Sequence, residues 1–245
     1  MKSSAGSWDR ASPLALSAYS LRLGKILPRG FYERPVEQVA RDLLGNFLVH
    51  KIGNTTLAGK IVETEAYLGV NDRAAHAWRG VTHRTRVLFG PPGHAYVYFI
   101  YGMYECLNLV AEPEGRAGCV LIRAVEPVLG IGEMRRRRPG ARRLEDLASG
   151  PGKLTLAMGI TRKHNGADVT RGPLVVREPA IREAFRIAAG PRVGITHNAD
   201  WPLRFYIEGS PYVSRPGRLP AAEPANEQTA SHGANRKRIC PGETV

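Results

Sequence analysis

The spacing of apolar residues changes along this chain, and each change predicts an element. From Pro35 to Leu44 the residues Val36, Val39, Ala40, Leu43 and Leu44 recur at helical spacing, with Pro35 at the first turn and Gly45 placed to end the helix. The period then drops to two. The segments "NFLVHKI" and "TLAGKIVETEAY" read as strands joined around Gly53-Asn54, a hairpin signal. "HAYVYFIYGMYECLNLVAE" reads as a second hairpin turning near Gly102, and "AGCVLIRAVEP" as a further strand. Helices are expected over Gly130 to Arg137, Leu144 to Ala148, Lys153 to Met158 and Ile181 to Ile187, with late strands at "RVGIT" and "LRFYIEG". Strands that follow one another through short turns pair antiparallel, so the pattern predicts an α+β fold, a mostly antiparallel sheet with helices around it.

One strand carries an unusual load. In Lys60 to Tyr67 the side chains of Glu63, Glu65 and Tyr67 fall on one face, while Val62, Thr64 and Ala66 fall on the other. Such a strand is ordinarily a solvated polar face over an apolar one. The rest of the chain decides whether the carboxylates do more.

At 245 residues and 43% apolar content the chain can bury a real core, and no internal repeat or linker divides it. Residues 1–22, rich in Ser and Ala without periodicity, read as a loose arm. Residues 215–245, rich in Pro, Ala, Gly and charge, read as a disordered tail. The folded domain is expected over 23–214. A net charge of +13 favours a polyanionic partner such as nucleic acid or an acidic membrane surface. Three cysteines without paired spacing support neither a disulfide framework nor a cysteine zinc site. With no apolar run long enough to span a bilayer and no secretory leader pattern, an intracellular protein is expected: cytoplasmic and nucleoid-associated in a bacterium, nuclear in a eukaryote.

Some motifs fail on inspection. "SGPGKLT" resembles a phosphate loop, but Leu147 stands where its first glycine belongs and Leu154 where a magnesium-binding hydroxyl belongs. Its Gly-rich turn with Lys153 suits a single DNA phosphate instead. The histidines show no metal-binding pair around a glutamate, and "RRRRPGARR" at Arg135 to Arg143 reads as a solvated helix face. The second hairpin is more specific. Tyr96, Tyr98, Tyr101 and Tyr104 crowd it, and Tyr101 stands beside Gly102 at the turn. Proteins that distort duplex DNA place a wedge side chain on such a tip, with aromatics behind it to stack on an extruded base.

Taken together, "GKIVETEAYLG", "RAAHAWRG", "YVYFIYGMYECLN", "GCVLIRAVEP", "SGPGKL" and "PLRFYIEGSPYVS" resemble the alkyladenine (methylpurine) DNA glycosylases, in order, from Leu23 to Ser214. The resemblance implies a single domain with a curved antiparallel sheet and a protruding, DNA-inserting hairpin. It implies that Glu65 is the general base and that Arg123, with the Val193 main-chain carbonyl, helps hold the attacking water. By the same resemblance Tyr67, His76 and Tyr98 enclose the flipped base, with Leu121 among them, and Asn108 crowds an exocyclic amino group to exclude guanine. Tyr101 matches the intercalating residue. Leu88 falls on the apolar position flanking the hairpin, where mammalian members have methionine. Arg84 and Lys153 are candidates for the DNA backbone.

The implied reaction is hydrolytic release of alkylated or deaminated purines (methyladenine, ethenoadenine, hypoxanthine) from duplex DNA by a monomer. It needs no cofactor or metal and leaves an abasic site. No lysine is expected to line the pocket, so no amine-initiated lyase step is expected. Glu63 is expected to have a structural partner. Two rival readings are a nucleic-acid-binding module without catalysis and a carbohydrate hydrolase using Glu63 and Glu65. The second is disfavoured, because both carboxylates approach from one side whereas glycosidases flank the bond.

Overall fold

The computed structural model describes residues 23–100 and 102–214. The expected arm, the expected tail and Tyr101 lie outside the described residues. Nine strands are described: β1 (Leu23–Ile26), β2 (Phe47–Ile52), β3 (Thr55–Tyr67), β4 (Ala95–Ile100), β5 (Tyr104–Ala111), β6 (Gly118–Leu129), β7 (Leu174–Pro179), β8 (Ile187–Gly190) and β9 (Arg204–Ile207). All pairings are antiparallel. The main order is β1-β7-β2-β3-β6-β5-β4, and β9 pairs with both β3 and β8. Four α-helices are described: α1 (Arg29–Tyr32), α2 (Val36–Asp42), α3 (Ile131–Arg137) and α4 (Pro151–Met158). This is the α+β arrangement expected.

Strand β3 is the hinge of the design. Its first half pairs with β2 from Thr55 to Lys60, and Glu63 to Glu65 pair with β9 instead, while β6 runs along the other edge. Where the partner changes, the ladder skips. Ile61 lies opposite Val125 and Glu63 opposite Ala124, so Val62 has no opposite residue; Thr64 then lies opposite Ile122, so Arg123 has none. The two single-residue bulges cancel, and one-to-one pairing resumes through Tyr67 and Cys119. Bulges of this kind re-aim side chains. Leu57, Ile61, Val62 and Ala66 all enter one core cluster, so the core-facing positions switch from odd to even at Val62. Glu63 and Glu65 are thereby turned to the opposite face.

That core is built by α2 and α4 against the sheet. Val36, Val39 and Ala40 pack on it from α2, and the Thr64 hydroxyl donates to the Ala40 carbonyl at 2.8 Å. Gly45 ends the helix region with φ +81°, and the Phe185 ring lies where its Cβ would be. A side chain there would face both strain and a clash.

Three expected elements take other forms. Leu144 to Ala148 is not helical: Val125 donates to the Ala148 carbonyl and Ser149 bridges to Ala124, so the segment edges β6 and buries Leu147. Pro151 also disfavours helix in the residue before it. Ile181 to Arg186 is irregular, with Ile181 83% exposed; its apolar spacing had no core to pack against, and Ile187 opens β8 instead. "RVGIT" is a loop rather than a strand, because Arg192 is pinned in a buried ion pair and Val193 turns its N–H to a carboxylate. Strands β1, β7 and β8 were not expected.

Candidate active site

Tyr67 of β3 and Cys119, Leu121 and Arg123 of β6 line a cavity of about 560 Å³, walled by the β4–β5 hairpin, the 3-10 turn that begins at His76 and the N-terminal turn of α4. Glu63 and Glu65 are both fully buried, so the solvated polar face that such a strand ordinarily presents is not what the chain builds. Two bare carboxylates could not remain charged there. Each is surrounded by donors.

Glu65 accepts from the Val193 N–H at 2.7 Å on one oxygen, which also forms an ion pair with Arg123 Nη1 at 3.1 Å, and from the Tyr67 hydroxyl at 2.9 Å on the other. The expected contribution of Val193 was its carbonyl; the contact it makes with Glu65 is the N–H. Glu65 does not itself line the cavity, whereas Tyr67, Arg123 and Val193 do. Burial works against the Arg123 charge, but Glu65 and Glu63 outweigh it and push its pKa above the ordinary arginine value. Burial first, and then the Glu65 charge, push the Tyr67 pKa well up, so the phenol stays a donor.

Glu63, expected to have a structural partner, has three. It accepts from Arg123 Nε at 2.9 Å, Arg204 Nε at 2.7 Å, and the Ser214 N–H and hydroxyl at 2.6 and 2.9 Å. Arg123 therefore bridges both carboxylates, and it sits on the bulge that places it there. This geometry also removes the carbohydrate hydrolase reading, since Glu63 is enclosed and faces Glu65 across a shared arginine.

The walls are aromatic. His76 Nδ1 lies 2.9 Å from the Tyr96 hydroxyl, and its ring meets Tyr98 edge-on with centroids 4.4 Å apart. Desolvation and then the Arg84 cation push the His76 pKa down to about 4, so the imidazole is neutral at pH 7 although it opens on the cavity. Asn108 and Leu121, opposite each other on β5 and β6, both line the cavity and are nearly fully buried. Asn108 is held by its Nδ2 donating to the Tyr96 carbonyl at 3.4 Å. Burial pushes the thiols of Cys106 and Cys119, also in the wall, up to about 11 and about 12, so both stay protonated.

Leu88 is 1% exposed in a small apolar cluster with Tyr96 and Val110, so it packs against the two strands of the hairpin as expected. Arg84 sits 5.3 Å over the Tyr98 ring. Lys153 is exposed and lines the cavity, which corrects the expectation that no lysine would. The turn before it offers less to a phosphate than expected, because the Gly150 N–H donates to the Arg123 carbonyl and Pro151 has none.

A second ion pair lies behind Tyr67 and was not read from the sequence. Asp72 and Arg192 are fully buried and bonded through both terminal guanidinium nitrogens, with Asn198 Nδ2 on Asp72 at 3.1 Å. Arg192 also donates to the Ala66 carbonyl at 3.0 Å and lies 4.7 Å over the Tyr67 ring. It thus fixes both Tyr67 and the neighbouring Val193.

The sequence pattern of the family described as Methylpurine-DNA glycosylase (MPG) matches residues 30–211. The chain belongs to that family. A protein of Methanocella arvoryzae is 54% identical over 195 residues, covering 78% of this chain and 96% of its own. One from Methanoculleus marisnigri is 55% identical over 192 residues, covering 77% and 98%, and one from Carboxydothermus hydrogenoformans is 49% identical over 193 residues, covering 78% and 99%. All three bear the name "Putative 3-methyladenine DNA glycosylase". Membership makes the chain a DNA glycosylase for methylated purines, an enzyme of base excision repair.

Proposed function

We propose that this glycosylase flips an alkylated or deaminated purine nucleotide out of duplex DNA into the cavity and hydrolyses its N-glycosidic bond. The observation that carries the reading is Glu65, a buried carboxylate held by three residues, Tyr67, Arg123 and Val193, that themselves line an aromatic cavity large enough for one nucleotide. Extrusion costs a few kcal/mol, least for a damaged or mismatched base. Tyr67 and Tyr98 supply ring surface for the extruded purine, and a cationic alkylated purine gains most from it. Water then attacks C1′ of the deoxyribose while the bond to the base nitrogen breaks and its electron pair leaves with the base. Glu65 accepts the water's proton and stabilises the positive charge developing on the sugar. Arg123, ion-paired with Glu65 at 3.1 Å, keeps it in place.

Methyladenine is the substrate nearest to the names of the relatives; ethenoadenine and hypoxanthine extend the same reading. The product is an abasic site with the backbone intact, and the enzyme acts as a monomer. Lys153 makes an amine available, so borohydride reduction during turnover decides the monofunctional assignment: a trapped protein–DNA adduct would overturn it. The central test is Glu65→Gln. Excision of methyladenine from duplex oligonucleotides, read as alkali-labile strand breaks, should slow at least about a hundredfold, with lesion binding retained. An unchanged single-turnover rate would refute Glu65 as the base.

A further inference from the structure

We propose that Glu63 is a positioning residue for the glycosylase reaction, acting through Arg123 rather than on the substrate; this rests on the function proposed above. Arg123 has a partner on each guanidinium nitrogen: Nε on Glu63, Nη1 on Glu65 and Nη2 on the Ser214 hydroxyl at 3.2 Å. The Nε edge is the one that fixes the plane of the fork. With it locked on Glu63, Nη1 falls on Glu65, and the second N–H of each terminal nitrogen is left for the cavity that Arg123 lines. The Ser214 hydroxyl completes the lock, accepting from Arg123 and donating to Glu63.

Charge makes the same point. Glu63 and Glu65 balance Arg123 and Arg204 within a buried cluster. If Arg123 were needed only to neutralise Glu65, a second buried carboxylate on it would be a cost without a return. Arg204 adds the outer tie: it donates to Glu63 and, through Nη2, to the Ser214 carbonyl at 3.0 Å, joining β9 to the segment that ends at Ser214. Glu63 thus draws β3, β6, β9 and that segment onto one point, beside the arginine that must keep its angle.

The test is a double-mutant cycle on single-turnover excision of methyladenine, with lesion-duplex affinity measured beside it. A slip of about 1 Å in a positioned group can cost about a hundredfold in rate. Glu63→Gln should therefore slow excision by about ten- to a hundredfold with affinity within about threefold of wild type. In an Arg123→Ala background the same change should have no further effect, within about twofold. A residue that only supports the fold would slow both backgrounds alike, and that result overturns the proposal, as does a folded E63Q of normal rate. If E63Q melts below the assay temperature, Ser214→Ala replaces it in the cycle, with several-fold slowing expected only when Arg123 is present and equal slowing in both backgrounds refuting. Glu65→Gln is run alongside. Should it excise normally, the base assignment fails, while the 63–123 cycle still reads Glu63.

Discussion

Replacing Asp72 by Asn keeps the shape of the latch behind the active site and removes its negative charge. Arg192, fully buried, would then have no carboxylate. It has nowhere to turn: its Nε already lacks a partner, and its other acceptor is the single Ala66 carbonyl. Breaking a buried pair from one side typically costs about 3 to 5 kcal/mol, because the remaining charge is uncompensated. For a domain of this size each kcal/mol moves the melting temperature by roughly 2 to 4 °C, so Asp72→Asn should melt roughly 6 to 20 °C below wild type. Excision should fall as well, even at temperatures where the variant is folded, since Arg192 supports the Tyr67 ring and the Val193 N–H that hold Glu65. The same pair sets an acid limit. Burial opposes ionisation of Asp72, but Arg192 outweighs it and holds the carboxyl below the ordinary aspartate value. A depressed carboxyl stabilises the fold above its unfolded pKa and loses that contribution as pH falls through the folded one. Wild type should therefore lose this stabilisation below about pH 4, and Asp72→Asn should show no such loss. Melting curves across pH test both statements. A shift under about 3 °C at pH 7 would mean that Arg192 is compensated elsewhere and the latch does not support the site.

His76 should stay neutral down to about pH 4, so excision should show no step near the ordinary histidine pKa, and its imidazole signal in NMR should titrate only toward 4. Because protonation then favours the unfolded chain, stability should decline as pH drops from about 6.5 toward that value; a titration midpoint above 6 would refute the Arg84 and desolvation account. Asn108→Ser opens space in the wall opposite Leu121, and should raise release of guanine or alkylguanine relative to hypoxanthine; unchanged guanine release would sink that role. Tyr101→Ala should remove stacking worth about 1 to 3 kcal/mol from the flipped state, lowering its population roughly five- to 150-fold. A fluorescent base analogue at the lesion would report this directly, and an unaltered signal would end the wedge reading.

Much of this was legible in the sequence. Period-two runs and a Gly-Asn turn found β2 and β3, and the Tyr-rich run with Gly102 found the β4–β5 hairpin, because local alternation and turn chemistry act over a few residues. The alternation from Val62 onward correctly separated Glu63 and Glu65 from Thr64 and Ala66. What it could not show was that both carboxylates are enclosed, since, Tyr67 apart, their hydrogen-bond donors come from Arg123, Val193, Arg204 and Ser214, 60 to 151 residues away in the chain. The Asp72–Arg192 pair, separated by 120 residues, left no local trace at all. The bulge did leave one: Ile61 and Val62 are adjacent apolar residues just ahead of the alternating run Glu63 to Tyr67, the mark of a change in facing. Ile181 to Ile187 misled for the opposite reason, since helical spacing without a surface to bury it decides nothing.

The cancelling skips at Val62 and Arg123 have a consequence for how this enzyme can be recombined. Each strand carries its own offset, and pairing from Thr64 and Ile122 onward is correct only because both are present. A chimera that took β3 from one parent and β6 from another lacking the matching offset would misalign every later pair by one position, carrying Glu65 away from Leu121 and Tyr67 away from Cys119. Point changes along these strands are absorbed side chain by side chain. A change of length in one strand alone is not, so crossovers between parents belong outside residues 61–125, with the two strands inherited as one block.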